Sequence, residues 1–184
     1  EDFRLSITSN CCPPKGQWAK FMTSMSEISE NVDHFMLYCS LDSWGEQAEY
    51  IRNGMNFTTL LNNVEDFLGT CKRHSLTFII TFNVFSYSGI FEYIKNILNL
   101  RRKYSVERQL IWFDSPPLHS PDFMNAKLNP AGVDELHKCI KFMEQYKDGE
   151  TEKQFQGFSD FEIKKVQRLI DWIQAPTDFN RTIA

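Results

Sequence analysis

Cys39-Ser-Leu-Asp-Ser-Trp-Gly-Glu-Gln-Ala-Glu-Tyr-Ile-Arg-Asn-Gly54 is the stretch whose reading decides the fold. The run that leads into it, His34 to Tyr38, is largely apolar and predicts a buried strand. That strand exits into a polar pair, Ser40 and Asp42. A short turn carries Gly45, and Arg52 follows twelve residues after the serine. An amphipathic helix comes next. Strand, polar exit, loop and helix in that order form the βα unit of a parallel fold, where ligands bind at the carboxyl ends of the strands.

The same rhythm extends to both sides. Phe3 to Thr8 alternates apolar and polar residues as a strand does. A loop, Ser9 to Pro14, leads into a helix over Pro14–Glu30, with Trp18, Phe21, Met22, Met25 and Ile28 on one face. Phe35 to Cys39 is the second strand. Phe57–Arg73 carries the clearest helical stripe, through Leu60, Val64, Phe67 and Leu68, and Gly69 fits its end. Leu76 to Phe82 is nearly all apolar or β-branched, which suits a strand covered on both faces. Tyr87–Tyr104 is a helix and Gln109 to Phe113 a fourth strand. Asp114 to Pro130 holds four prolines without periodicity and predicts a long loop. A helix over Val133 to Tyr146, a polar linker over Lys147 to Gln156, and a helix capped by Ser159 with Glu162 and ended by Pro176 complete the chain. The expectation is an α/β fold: parallel strands in sequence order, right-handed crossovers, and helices on one outer face.

Composition narrows the function classes. At 184 residues, 42% of them hydrophobic, the chain can bury a full core and is one domain, or one domain with an appendage. A net charge of −4 gives no reason to expect nucleic acid. The one basic run, Arg101-Arg102-Lys103 with Arg108, reads as a solvated helix end that complements the dipole. Five cysteines, odd in number and irregularly spaced, with no signal-peptide pattern, predict reduced thiols in a cytoplasmic protein. No apolar run is long enough to span a membrane, so no membrane partner is expected.

Polar residues stand just past each apolar strand: Asn10, Ser40 with Asp42, Asn83, and Asp114. Four in register predict a ligand site at one end of the sheet. Asp42 and Asp114 could face each other for acid–base work, or each could cap a helix or bind a loop backbone. Arg52 stands three residues after Glu49, an i,i+3 spacing at which the two can pair. His34, His74, His119 and His137 share no metal-ligand spacing. Cys11 and Cys12 are adjacent and cannot alone clamp an iron–sulfur cluster. A chance meeting with Cys39 at the next strand end is conceivable. There is no glycine-rich phosphate cradle.

Ser40-x-Asp42 with Glu49-Tyr-Ile-Arg-x-Gly54, Asn56-Phe57, Asn63-Val-Glu-Asp-Phe-Leu68, the turn Thr77 to Ser86, and Asp114-Ser-Pro-Pro-Leu-His-Ser-Pro121 together resemble radical S-adenosylmethionine enzymes, in particular the group with a twitch extension. The resemblance reaches the last helix up to Trp172. It implies a partial (β/α) barrel over residues 1–130 and a C-terminal helical extension over 131–184. It also implies a 5′-deoxyadenosyl radical made from S-adenosylmethionine at a [4Fe–4S] cluster. The three-cysteine cluster loop and the Gly-Gly-Glu-Pro-like stretch of that family are absent. The strands Phe3 to Thr8 and Phe35 to Cys39 match the family's third and fourth. The cluster would therefore belong to a full-length parent, and the missing N-terminal part of the barrel would be a partner. The C-terminus at Asp178-Phe-Asn-Arg181 stops where further helix is expected. By the resemblance, Ser40 and Arg52 contact the ribose and carboxylate region of S-adenosylmethionine, Asn10 and Asn83 line the cleft, and Phe113 stacks near adenine or packs in the core. A different class remains open: a non-catalytic α/β binding or assembly module with the same fold. The substrate, a small molecule or a peptide, is unspecified.

Overall fold

The computed structural model describes residues 4–28 and 31–176. Four strands, β1 (Arg4–Ser9), β2 (His34–Ser40), β3 (Ser75–Ile79) and β4 (Ile111–Asp114), form one sheet in the order β1-β2-β3-β4. Every neighbouring pair is parallel. Helices α1 (Gln17–Ile28), α3 (Phe57–Thr70) and α4 (Tyr87–Tyr104) provide the crossovers, and α5 (Val133–Gln145) and α6 (Asp160–Gln174) follow β4. A short helix, α2 (Glu46–Ile51), precedes α3. The parallel α/β arrangement in sequence order is as expected. Phe3, Glu30 and Asp178 to Arg181, which also figured in the sequence reading, lie outside the described residues.

The two faces of the sheet differ. Along β2, Phe35, Leu37 and Cys39 are fully buried, while Met36, Tyr38 and Ser40 between them are half-buried. The register carries this alternation across the sheet: Leu37 aligns with Leu76, which aligns with Ile111, and Cys39 with Phe78, which aligns with Phe113. These residues meet the helices. Phe35 packs on Phe21 of α1 and Phe67 of α3, and Phe78 packs edge-on against Tyr93 of α4. The opposite face, with Tyr38, Ile79 and Trp112, is only partly covered, and Trp112 is 37% exposed. In β3 both faces are buried, Ser75 and Thr77 on one and Leu76 and Phe78 on the other, as the near-continuous apolar run predicts.

Local chemistry sets the helix ends. The Asn56 side chain accepts from the Thr59 amide at 2.8 Å and caps α3, and Glu49 adds a second acceptor for the Phe57 amide at 2.6 Å. Gly69 does not end α3. The helix runs on to Thr70 with Cys71 as its cap, because Cys71 N still donates to the Phe67 carbonyl. The segment read as a turn after Gly45 closes into α2 instead. Gly45, at φ 63°, makes the sharp entry that a residue with a Cβ adopts only under strain. Beyond Ile79 the chain keeps bonding to the residues after β4, Ile80 N to Asp114 O and Phe82 N to Pro116 O, both at 2.9 Å, without forming regular strand. The long proline-containing loop folds into three single-turn 3-10 helices, and the expected boundary at residue 130 falls in the last of them.

The basic run is a correction. Arg101 is fully buried rather than solvated. Its guanidinium bonds the Ile111 carbonyl at 3.0 Å and the Gly157 carbonyl at 2.6 Å, and it pairs with Glu162 of α6. Arg102 pairs with Glu152 and Lys103 with Glu65. These positions look basic along the sequence, but the fold folds their partners onto them from later or earlier elements. Ser159 and Glu162 form the expected capping box. Among the described residues, no helix is long and apolar enough to cross a membrane.

Candidate functional site at the carboxyl ends of the strands

The exit of β2 organises the site. Asp42, 6% exposed, sits two residues past the strand. Its Oδ1 accepts from the Thr81 amide at 2.8 Å, tying the exit of β2 to the chain after β3. Its Oδ2 accepts from Arg52 Nε at 2.7 Å. Arg52 comes from the end of α2, which folds back over the strand end. Glu49 is occupied at the start of α3, so the alternative pairing with Glu49 is not the one made. Only Nε of Arg52 is taken. The side chain is 31% exposed, and its terminal nitrogens have no protein hydrogen-bond partner among the described residues, so donors remain to spare.

Ser40 is the last residue of β2 and belongs to the open face, with Met36 and Tyr38. Its hydroxyl has no protein partner among the described residues. In the same row of the sheet stand Ile79 and Asp114. Asp114 Oδ1 accepts from Lys165 Nζ of α6 at 3.0 Å and from the Ser115 amide at 3.1 Å. Neither aspartate is a free acid–base group: each carboxylate is held by a cation and a backbone amide.

The other residues singled out in the sequence differ from these. Asn83, 2% exposed, builds a turn: its Oδ1 accepts from the Phe85 amide at 2.9 Å and its Nδ2 donates to the Thr81 carbonyl at 3.0 Å. Asn10 is exposed and accepts from the Cys12 amide at 3.0 Å. Phe113, 2% exposed, shares the helix face with Phe78, as its alternative role in core packing requires. Ser40 ends β2 and Arg52 binds Asp42 two residues further on, whereas Asn10 and Asn83 spend their side chains on local turns.

A buried polar layer underlies the exit. Cys11, at φ 51°, turns its thiol inward, and Cys11 and Cys39 are both fully buried. The Cys39 thiol is pushed well up, first by its hydrogen bond with the Cys11 thiol and then by burial. Burial raises the Tyr93 hydroxyl, with Cys39 and Asp42 adding to the effect. Among the described residues, the Tyr93 hydroxyl and Ser43 Oγ have no hydrogen-bond partner. Cys12 leaves this layer, its Sγ 3.6 Å from the Asn56 carbonyl. All five thiols are free. The conceivable three-cysteine meeting is therefore a pair, and no group of three ligating side chains converges among the described residues. The donor set does not fit a [4Fe–4S] cluster, which needs at least three thiolates from this chain to stand without outside help. For S-adenosylmethionine the donors do fit: a free hydroxyl for ribose oxygens, and an anchored guanidinium for a carboxylate.

Sequence reasoning missed Lys165, which reaches Asp114 across 51 residues of chain, and the open-face aromatics Tyr38 and Trp112. For the aromatics the signal was there: strict alternation from buried Cys39 and Phe113 puts both on the opposite face. The fold and this site define a parallel α/β protein with a polar, arginine-bearing exit at the second strand. Comparison with protein-family models, with curated proteins and with solved structures finds no match.

Proposed function

We propose that this chain is part of a radical S-adenosylmethionine enzyme core, a partial (β/α) barrel that contributes contacts to S-adenosylmethionine and one wall of the substrate cleft. The observation that carries the reading is Arg52, fixed by Asp42 through Nε alone two residues past Ser40, whose hydroxyl has no protein partner among the described residues. Preorganising one edge of a guanidinium lowers the entropy cost when its remaining edge meets a carboxylate. A four-stranded parallel sheet in sequence order whose second face is only partly covered supports a partial barrel, with Tyr38 and Trp112 on its inner wall. When bound, S-adenosylmethionine supplies the radical chemistry. Ser40 and Arg52 orient it, and the cluster ligands come from outside this stretch of chain. β1 is an edge strand with Ile7 40% exposed, and an N-terminal part of the barrel would cover it.

Equilibrium dialysis of the chain against labelled S-adenosylmethionine tests this. Saturable binding is expected, weakened about tenfold or more in Arg52→Ala, since a charge-assisted contact contributes roughly 1.5–3 kcal/mol. A smaller loss is expected in Ser40→Ala. Binding that is absent, or indifferent to both substitutions, would favour a non-catalytic α/β binding module.

A further inference from the structure

A cavity of about 550 Å³ lies at the end of the molecule opposite the strand exits, where α3 and α4 finish and β4 begins. Its volume falls within the roughly 300–1,000 Å³ of sites that enclose a small molecule. Part of the lining is apolar: Leu68 and Leu110 are buried, Tyr104 is half-buried, and Val106 is 68% exposed. The rest is charged. Lys72, Lys103 and Arg108 line the cavity with a single carboxylate, Glu107, an excess of two positive charges in a chain of net charge −4. The helix ends do not account for this excess. A helix dipole favours cations in its last turn, and those of α4 are already paired: Arg101 with Glu162, Arg102 with Glu152 and Lys103 with Glu65. Lys72 and Arg108 lie beyond the helices, and neither has a carboxylate partner among the described residues. The loop that carries Arg108 is fixed. Leu110 N donates to Ser105 Oγ at 3.1 Å, and Arg108 donates to the Arg73 carbonyl. The positive field also reaches inward: after burial, Arg108 and then Arg4 lower the pKa of His34.

We propose that this cavity binds a small organic phosphate, a monoester whose head meets Lys72 and Arg108 and whose apolar body lies against Leu68, Tyr104 and Leu110. A phosphate monoester carries close to two negative charges near neutral pH, which matches the excess in the lining, whereas a carboxylate carries one. A guanidinium forks onto two phosphate oxygens, and an ammonium beside it acts as a point charge. The size selects a small molecule, since a protein partner needs a broad contact face. Glu107 has no partner among the described residues and is the one lining group that opposes an anion. The site lies apart from Ser40 and Arg52 and does not rest on the function proposed above.

The probe is naphthyl phosphate, titrated into the ¹⁵N-labelled chain beside naphthol, naphthoate and inorganic phosphate. Saturable amide shifts are expected at Gly69, Lys72 and Val106 to Arg108. The ester should bind about tenfold or more tightly than each of the other three, because none of them joins a dianion to an apolar body. Lys72→Ala and Arg108→Ala should each weaken it about tenfold, as loss of one charge-assisted contact predicts. Glu107→Gln should tighten it, which a merely structural role for these residues would not produce. All three side chains are exposed, so the variants should keep the fold, and the amide spectrum checks this. Lys138→Ala, on α5 and outside the cavity, should bind as wild type. Added salt should weaken the ester through screening. The proposal is overturned if naphthyl phosphate does not bind saturably, if its shifts fall at the strand exits, if naphthoate or inorganic phosphate binds as tightly, or if both cation variants keep wild-type affinity.

Discussion

Asp42 shows how much one side chain can hold together. It accepts from the Thr81 backbone and from Arg52, so it joins β2, the chain after β3 and the end of α2. Replacing it with Ala leaves a largely buried amide without an acceptor and frees Arg52. The expected cost is about 2 kcal/mol, discounted because Arg52 is about one-third exposed. Urea denaturation would read this as a lower midpoint with an unchanged slope. A second residue-scale consequence concerns pH. The Phe35 amide donates to His74 Nδ1 at 3.2 Å, which requires a neutral ring on a fully buried residue. Burial, followed by the neighbouring His34, Arg73 and Arg108, holds the pKa of His74 below its ordinary 6.5. Burial and then Arg108 and Arg4 do the same for His34. The unfolded chain therefore binds protons more readily in the window below 6.5. The stability from these histidines is complete above that value and is lost as pH falls through it toward the folded pKa. The urea midpoint should drop between about pH 7 and about pH 5, before carboxylates titrate. The drop should be shallower in His74→Gln; an identical drop would remove His74 as its cause.

At the scale of elements, α6 is fastened to the sheet through α4. Arg101 spans from the end of α4 to the β4 carbonyl of Ile111, to Gly157, and to Glu162 in the capping box of α6, with Phe158 against its guanidinium. Removing one partner of a fully buried pair leaves an uncompensated charge, so Glu162→Gln or Arg101→Met should cost about 3–5 kcal/mol. The double variant Arg101→Met, Glu162→Leu should recover much of that loss, and a thermal-melt cycle would measure the coupling. Additive losses would show that the pair is not coupled. The elements also show what a sequence can disclose. Period-2 and period-3.6 patterns carry the four strands and the main helices, because each depends on the burial of neighbours in sequence. The Arg101–Glu162 pair, the hydrogen bond of Cys11 with Cys39, and the Asp42–Arg52 pair depend on crossovers and register. Arg101 reads as part of a solvated basic run and Arg52 as a partner of Glu49 or of a ligand, and their actual partners come only with folding. The meeting of Cys11 with Cys39 is one that the sequence leaves open. Ser40 and Arg52 were legible through a motif, whereas Lys165 was not, since nothing local ties α6 to β4.

For the whole molecule, the central claim is that the carboxyl end of the parallel sheet is prepared for S-adenosylmethionine. Two features agree on this location. The strand order places every carboxyl end on one side, and Arg52 is held at the exit of β2 by an ion pair made through Nε. The buried thiols Cys11 and Cys39 and the Tyr93 hydroxyl, without a hydrogen-bond partner among the described residues, lie in the core below the exit of β2. The most direct test is a titration of the ¹⁵N-labelled chain with S-adenosylmethionine, followed through backbone amides and arginine Nε–H resonances. The account predicts saturable shifts that begin at Ser40 and the Arg52 Nε–H and diminish away from the exits of β2 and β3. Titration with methionine alone should move Arg52 and leave Ser40 in place, because methionine carries the carboxylate without the ribose. Shifts confined to the opposite end of the sheet, or none at Ser40 and Arg52 at saturation, would contradict the claim.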